Sequence, residues 1–278
     1  MVLKTLFCVI FLIQICYGAN ILAIVPTPSY SHQVAFAELW KELSLRGHHV
    51  TLVTTDPRND PNLPNLREIN MRRSYRIWSE TDITEDQLRQ PELQELIHES
   101  NKFKFDLVMV EVFYPELIAF AKIYKCPTIL VATIGSTVPM YQDLGNPAHP
   151  VLNSDINVPY DGTLNFKERL ISTLFYWRFM YFEYFISRPK RQETIDRFFS
   201  NVTSIKFDEL ISDIDVVLVN ESPLLKGVRA LGPTTVPVGG GIHLKPLKPL
   251  PHLHIRKSRK RVVARANNLT PSSSPTSP

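Results

Sequence analysis

Cysteine is nearly absent from this sequence. Of the three cysteines, Cys8 and Cys16 lie in an apolar amino-terminal stretch, and only Cys126 lies further along the chain. Removal of that stretch would leave no pair to form an intramolecular disulfide, which excludes a disulfide-stapled fold. Cys126 precedes Pro127 and follows an apolar segment. We interpret it as a small buried hydrophobic residue, because a reactive thiol needs surroundings that lower its pKa.

Long apolar runs and a dominant charge are also missing. No stretch of about 20 apolar residues follows the amino terminus, so no transmembrane helix is predicted there. The formal net charge is only +4. Segment 252–278 holds six basic residues and no acidic residue, so the remaining chain carries −2 (4 − 6), which argues against a nucleic-acid partner. No group of His, Cys and carboxylate residues has metal-ligand spacing, so we predict no metal site and no resident cofactor.

The first 18 residues have the pattern of a secretory signal peptide. A lysine gives a positive start, an apolar run covers 6–15, and Cys16 and Gly18 place small residues at −3 and −1 of a cut before Ala19. An uncleaved anchor is the alternative interpretation, although the run is short for a membrane span. We therefore expect delivery to the endoplasmic reticulum lumen or secretion. Sequons for N-glycosylation occur at Asn201, Asn220 and Asn268.

The body of the chain alternates apolar, β-branched runs with segments of helical spacing. Strands are predicted at 20–26, 49–54, 66–70, 105–110, 128–132, 215–220 and 236–238. Helices are predicted at 34–45, 115–124 and 166–199 and within 84–102, whereas 135–161 has the composition of a loop. Apolar strands joined by helical crossovers are typical of a sheet covered on both faces. We predict a doubly wound, mostly parallel, Rossmann-like α/β domain over 19–244, followed by a Pro-containing linker and a disordered basic, Ser/Pro-rich tail over 245–278.

Two polar residues are predicted beyond the carboxyl ends of strands, where open α/β sheets bind ligands. His32 lies in the loop after the first strand, and Glu111 directly follows the strand at 105–110. A histidine that a carboxylate orients can accept a proton from a hydroxyl group. The alternative is a loop or helix-start histidine and a solvated strand end, neither with a chemical role.

Several segments together resemble one family. They are NILAIVPTPSYSHQV (20–34), GHHVTLVT (47–54), FDLVMVEVFYPEL (105–117), CPTILV (126–131), LGNPAHPV (144–151), VNESPLL (219–225) and VPVGGGIHLKPLKPLP (236–251). Their order and spacing are similar to those of the UDP-glycosyltransferases that include animal UDP-glucuronosyltransferases, with insect members the most similar. The resemblance covers about residues 20–250.

The resemblance implies a fold and a mechanism. The family has a two-domain GT-B fold, and this chain would correspond to the amino-terminal, acceptor-binding half. His32 matches the catalytic base, and Glu111 stands where many members place an aspartate that pairs with the base. The reaction would be a metal-free, inverting transfer from a UDP-sugar (UDP-glucose or UDP-glucuronate) to a small lipophilic acceptor.

The resemblance also implies what these 278 residues lack. The family's donor-binding signature and carboxyl-terminal transmembrane helix are not among them, so we expect UDP-sugar to bind only if a donor domain is supplied. The alternative is a non-catalytic binder of lipophilic ligands, or a partner of the endoplasmic reticulum membrane or of full-length relatives. Segment 170–186 is aromatic and is interrupted by Arg178 and Glu183. We predict a core or acceptor-pocket helix there, with contact to a membrane surface as the alternative.

Overall fold

A computed structural model describes residues 18–239 except for 78–81, 136, 153–154, 156, 161, 223 and 225–229. The predicted signal peptide over 1–18, apart from Gly18 itself, and the predicted linker and tail over 245–278 lie outside the described residues. Those predictions therefore stay predictions.

Seven parallel strands form one sheet. They are β1 (Asn20–Val25), β2 (His49–Thr54), β3 (Leu66–Asn70), β4 (Leu107–Glu111), β5 (Thr128–Ala132), β6 (Val216–Val219) and β7 (Thr235–Pro237). Their order across the sheet is β3-β2-β1-β4-β5-β6-β7, and every neighbouring pair is parallel. After β1, the chain adds β2 and β3 on one side of the sheet. It then crosses back to place β4 on the other side of β1, and β5, β6 and β7 follow in order beyond β4. This arrangement confirms the predicted doubly wound α/β class.

Helices connect the strands. The α-helices are α1 (Tyr30–Ala35), α2 (Ala37–Leu45), α3 (Ser74–Ile77), α4 (Ile83–Leu88), α5 (Pro91–His98), α6 (Ala119–Tyr124), α7 (Val138–Asp143), α8 (Phe166–Phe182), α9 (Arg188–Phe199) and α10 (Phe207–Ser212). Short 3-10 turns cover Ser100–Lys102 and Pro115–Ile118, and a π-helical turn, Glu183–Ser187, joins α8 to α9.

The sheet has an apolar core on each face. Along β1, Leu22 and Ile24 belong to one buried cluster, and Ile21, Ala23 and Val25 belong to the other. This alternation follows from the two-residue period of a strand, which points successive side chains to opposite faces. Because helices cover both faces, central strands are apolar throughout instead of alternating with polar residues.

Two local predictions were wrong. The predicted helix over 34–45 begins earlier and is interrupted at Phe36, whose φ of −111° is not helical and whose ring is fully buried. Segment 135–161 is not all loop, because it contains α7. A proline in the first turn of α7 is compatible with a helix, since its missing N–H would have no partner there, and Val138, Met140 and Tyr141 bury their side chains.

Segment 170–186 was predicted to be a core or acceptor-pocket helix, and the core role was wrong, whereas the acceptor-pocket role stays a prediction. Only Ser172 and Met180 of α8 are buried, whereas α9 delivers Ile195, Phe198 and Phe199 to the core. Within the described residues, no helix combines the length and the apolar character that crossing a membrane requires.

We predict a large loss of stability from Phe120→Ala. Phe120 is fully buried in α6 and meets Phe199 of α9 edge to face, with 5.3 Å between ring centroids. The truncation should lower the free energy of unfolding by about 3–5 kcal/mol, because the cavity it leaves lies between two packed layers. Denaturant unfolding measures the change. Leu174→Ala on the exposed side of α8 is the matched control and should change stability by less than about 0.5 kcal/mol; equal losses would contradict the assigned core.

Candidate active site

The strand order reverses between β1 and β4. In open α/β sheets, the chains that leave two such strands depart to opposite faces, which opens a crevice at the carboxyl ends of the strands. His32 follows β1, and Glu111 is the last residue of β4. Both predicted site residues therefore lie at the crevice.

His32 lies on a helix and not, as predicted, in a loop. It is the third residue of α1, and its backbone N–H donates to the carbonyl of Ser29, 3.0 Å away. Gln33 fixes the helix to the end of β1, because its side-chain amide donates to the carbonyls of Val25 (2.9 Å) and Thr27 (2.8 Å). A regular helical turn held by a buried amide gives the imidazole a defined position.

The structure brings His32 and Glu111 into contact. Nδ1 of His32 lies 2.5 Å from Oε1 of Glu111. A carboxylate can only accept, so Nδ1–H is the donor, which leaves the lone pair on Nε2. Among the described residues, no hydrogen-bond partner of Nε2 is found. The histidine side chain is 19% exposed, whereas that of Glu111 is 0% exposed. The longer arm of glutamate therefore reaches the imidazole from a fully buried position, and only the imidazole is open to a ligand.

Threonines complete the surroundings of the pair. The hydroxyl of Thr27 donates to Oε2 of Glu111 (2.5 Å), and its backbone N–H contacts the same oxygen at 3.3 Å. The hydroxyl of Thr133 lies 3.0 Å from Nδ1 of His32. A buried carboxylate is costly unless it is paired and hydrogen-bonded, and here both of its oxygens have partners. The sequence analysis missed both threonines, although Thr133 directly follows β5 and could have been found by the strand-end rule that selected Glu111.

Asn220, just after β6, extends this network. Its side-chain amide donates to the carbonyl of Thr133 at 3.0 Å, and its backbone N–H donates to the carbonyl of Ala132. The same amide nitrogen would carry a glycan if this sequon were used, which would leave it one N–H in place of two. Asn201, in the sequon that follows α9, is exposed.

Two aromatic residues adjoin the site. The ring of Phe113 lies 5.8 Å from the imidazole of His32, centroid to centroid. Burial raises the pKa of Tyr114 to about 12, so its phenol stays neutral at physiological pH. The site thus offers one basic nitrogen beside an apolar ring.

The described residues offer little support for a reactive cysteine, a metal site or a second ligand site that includes His32. Cys126 is only partly buried and not, as predicted, a buried residue. Burial still raises the pKa of its thiol to about 11, so the thiol stays protonated at neutral pH. In the part of the chain that the structure describes, no group of three or more His, Cys, Asp or Glu residues could hold a metal ion. A cavity of about 250 Å³ lies near β2 and β3 and is lined in part by Tyr30, Gln33 and Trp40, but His32 and Glu111 do not line it.

Comparisons with known proteins find sequence relatives among the glycosyltransferases. No family model matches the chain. It is 27% identical over 259 residues to the UDP-glycosyltransferase UGT4 of Dactylopius coccus, which covers 84% of this chain and 51% of that protein. It is also 27% identical over 271 residues to the ecdysteroid UDP-glucosyltransferase of Autographa californica nuclear polyhedrosis virus, which covers 85% of this chain and 51% of that protein. The chain is thus a homologue of the UDP-glycosyltransferases and spans about half their length, corresponding to their amino-terminal portion.

Solved glycosyltransferases are weaker matches. A UDP-glucosyltransferase from Polygonum tinctorium is 14% identical with a TM-score of 0.44, covering 86% of this chain and 55% of that one. Medicago truncatula UGT71G1 is 12% identical with a TM-score of 0.42, covering 89% of this chain and 57% of that one. The fold described above rests on strand order and register, not on these matches.

Proposed function

We propose that this chain supplies the acceptor-binding half of a UDP-glycosyltransferase that transfers a hexosyl or glucuronosyl group from a UDP-sugar to a hydroxyl group of a small lipophilic acceptor. The observation that carries the proposal is the contact between His32 and Glu111 where the strand order reverses between β1 and β4, with no hydrogen-bond partner of Nε2 of His32 among the described residues. The baculovirus relative is named for ecdysteroids, which fit the class of lipophilic, hydroxyl-bearing acceptors.

In the proposed reaction, Nε2 of His32 removes the proton of the acceptor hydroxyl group. The oxygen then forms a bond to the anomeric carbon of the sugar, and the bond from that carbon to UDP breaks. UDP leaves with the electron pair, and attack from the opposite side inverts the anomeric centre. The step uses no metal ion. Glu111 acts as a positioning residue, because it fixes the tautomer of His32 and stabilises the imidazolium that forms.

The second candidate is a non-catalytic protein that binds lipophilic ligands or associates with full-length relatives. Such a protein would hold its ligand at the same place, where the ring of Phe113 adjoins the imidazole of His32, without a transfer step. Both candidates predict ligand binding near His32, and only the enzyme predicts turnover once the donor-binding half is present.

We predict that the 278-residue chain binds a lipophilic phenol but not the donor. In calorimetric titrations, 1-naphthol should bind measurably, because an apolar ring and a basic nitrogen adjoin each other at the crevice. UDP-glucose and UDP-glucuronate should give no binding heat above dilution, because the proposal assigns donor binding to the other half. As a control, Leu45→Ala, remote from the crevice and exposed, should bind 1-naphthol as wild type does. Tight binding of either UDP-sugar would place a donor site in this chain and contradict the division into halves.

A further inference from the structure

The cavity of about 250 Å³ near β2 and β3 lies apart from the candidate active site. Helices α1 and α2 line it with Tyr30, Val34 and Trp40, and the strands line it with Leu52 and Leu66. Residues of the loop that joins β2 to β3 supply the rest of the wall. We call this space the edge cavity, because β3 is an edge strand of the sheet.

Part of the lining of the edge cavity is apolar and buried. The side chains of Trp40, Leu52 and Leu63 are almost inaccessible to solvent. The indole of Trp40 is fixed against the ring of Phe36, with 6.2 Å between ring centroids. An apolar cavity of about 150 Å³ holds a benzene molecule, so the edge cavity has room for one aromatic ring that carries a short polar arm.

The three carboxylates that line the edge cavity are hydrogen-bonded within the protein. Asp56 accepts from the hydroxyl of Tyr75 at 2.6 Å. Asp60 accepts from a backbone N–H and a side-chain amide two residues further on, both at 2.9 Å. Glu68 accepts from two backbone N–H groups of the loop, at 3.0 and 2.6 Å. These bonds hold the loop to β3, so the wall of the edge cavity is preformed.

The cations that line the edge cavity are less fully engaged. Lys41 pairs with Glu38 at 3.2 Å, whereas Arg58 reaches the same carboxylate only at 4.0 Å. The guanidinium of Arg72 is exposed and forms no ion pair or hydrogen bond with another residue that the structure describes. The charged groups still available to a ligand are therefore positive.

We propose that the edge cavity binds a small aromatic carboxylate. Its ring would lie against Trp40 and Leu63, and its carboxylate would pair with the guanidinium groups of Arg58 and Arg72. A planar guanidinium offers two parallel N–H donors that match the two oxygens of a carboxylate, which makes this pairing stronger than a hydrogen bond between neutral groups. A few polar groups beside an apolar lining are typical of small-molecule sites.

Fluorine NMR of the full chain labelled with 5-fluorotryptophan tests the proposal, with phenylacetate as the probe. The resonance of Trp40, assigned with Trp40→Phe, should shift on titration, whereas that of Trp177 on α8 should not. Phenylacetamide has nearly the same shape without the charge and should bind about tenfold more weakly or worse. Arg58→Gln combined with Arg72→Gln should weaken phenylacetate binding by about tenfold or more, because the charge-assisted hydrogen bonds are lost. The same variant should leave phenylacetamide binding unchanged.

Matched variants separate the edge cavity from other sites. Arg67→Gln changes an exposed arginine on β3 that does not line the edge cavity, because successive side chains of a strand point to opposite faces, and it should bind phenylacetate as wild type does. His32→Ala should also bind phenylacetate as wild type does, since His32 does not line the edge cavity. Unfolding midpoints of the arginine variants should match that of wild type, because these side chains are exposed.

Four results would overturn the proposal. Two concern the charge: equal affinity for phenylacetate and phenylacetamide, or unchanged phenylacetate affinity in the Arg58→Gln, Arg72→Gln variant. The third is a Trp40 resonance that millimolar phenylacetate does not shift. The fourth is loss of phenylacetate binding in His32→Ala, which would place the ligand in the crevice.

Discussion

His32→Ala should lower kcat/KM about 10²–10⁴-fold in an enzyme completed by joining this chain to the carboxyl-terminal half of a full-length relative such as the Dactylopius coccus UGT4. The variant removes the nitrogen that we propose as general base while leaving the surrounding strands intact. The loss should appear in kcat, with little change in the acceptor KM, because deprotonation belongs to the transition state and not to binding. UDP release measured at several acceptor concentrations separates the two parameters.

Variants around His32 test its proposed role further. Added imidazole should restore part of the turnover of His32→Ala, since it supplies the missing base. Glu111→Ala should lower turnover less than His32→Ala, because Glu111 orients the base without being the base, and Glu111→Asp should retain more turnover than Glu111→Ala. His98→Ala, at an exposed histidine on α5, should be silent. Undiminished turnover after His32→Ala would remove the proposed mechanism.

The 278-residue chain assayed by itself should transfer no sugar. General-base assistance acts only when the anomeric carbon is held within reach of the acceptor oxygen, and such positioning is worth about 7–11 kcal/mol of a reaction barrier. We assign that positioning to the donor-binding half of the relatives, which this chain does not match. We therefore expect UDP release at the background rate with any acceptor, in contrast to the completed enzyme.

One assay tests this dependence. A coupled assay for UDP compares the chain alone, the donor-binding half alone, their mixture and the fused enzyme at equal concentrations. Turnover by the fused enzyme but by neither half alone supports the proposal. Robust turnover by the chain alone would overturn the division into halves, and ligand binding without turnover in the fused enzyme would favour the non-catalytic alternative.

The sheet could be predicted from the sequence with little error. The predicted strands at 49–54, 66–70 and 128–132 match β2, β3 and β5 residue for residue. Apolar, β-branched runs such as 128–132 fit buried strands, whereas 66–70 (LREIN) holds only two apolar residues and buries one of them. Helix ends were predicted less well. The break at Phe36 and the helix α7 depend on where side chains pack, and that is decided by segments far away in the chain.

The candidate site, like the fold, could be predicted from the sequence only in part. The sequence determined that His32 and Glu111 each lie near the carboxyl end of a strand, because strand ends are local features; Glu111 proved to be the last residue of β4 and not the residue after it. Only the strand order decided that these residues, 79 positions apart, meet at 2.5 Å. Thr133 reaches the same nitrogen from 101 positions away. No local pattern encodes such distances, since they arise from the crossover that places β4 beside β1.

The sequence by itself determined the α/β class, the positions of most strands and the chemical character of each segment, because these follow from local composition and periodicity. The tertiary structure alone decided which apolar side chains are covered. In α8, apolar residues occur on nearly every side of the helix, so periodicity cannot distinguish a core face from an exposed one. Met180 is buried and Trp177 is exposed, because burial depends on which other parts of the chain lie against each face of the helix.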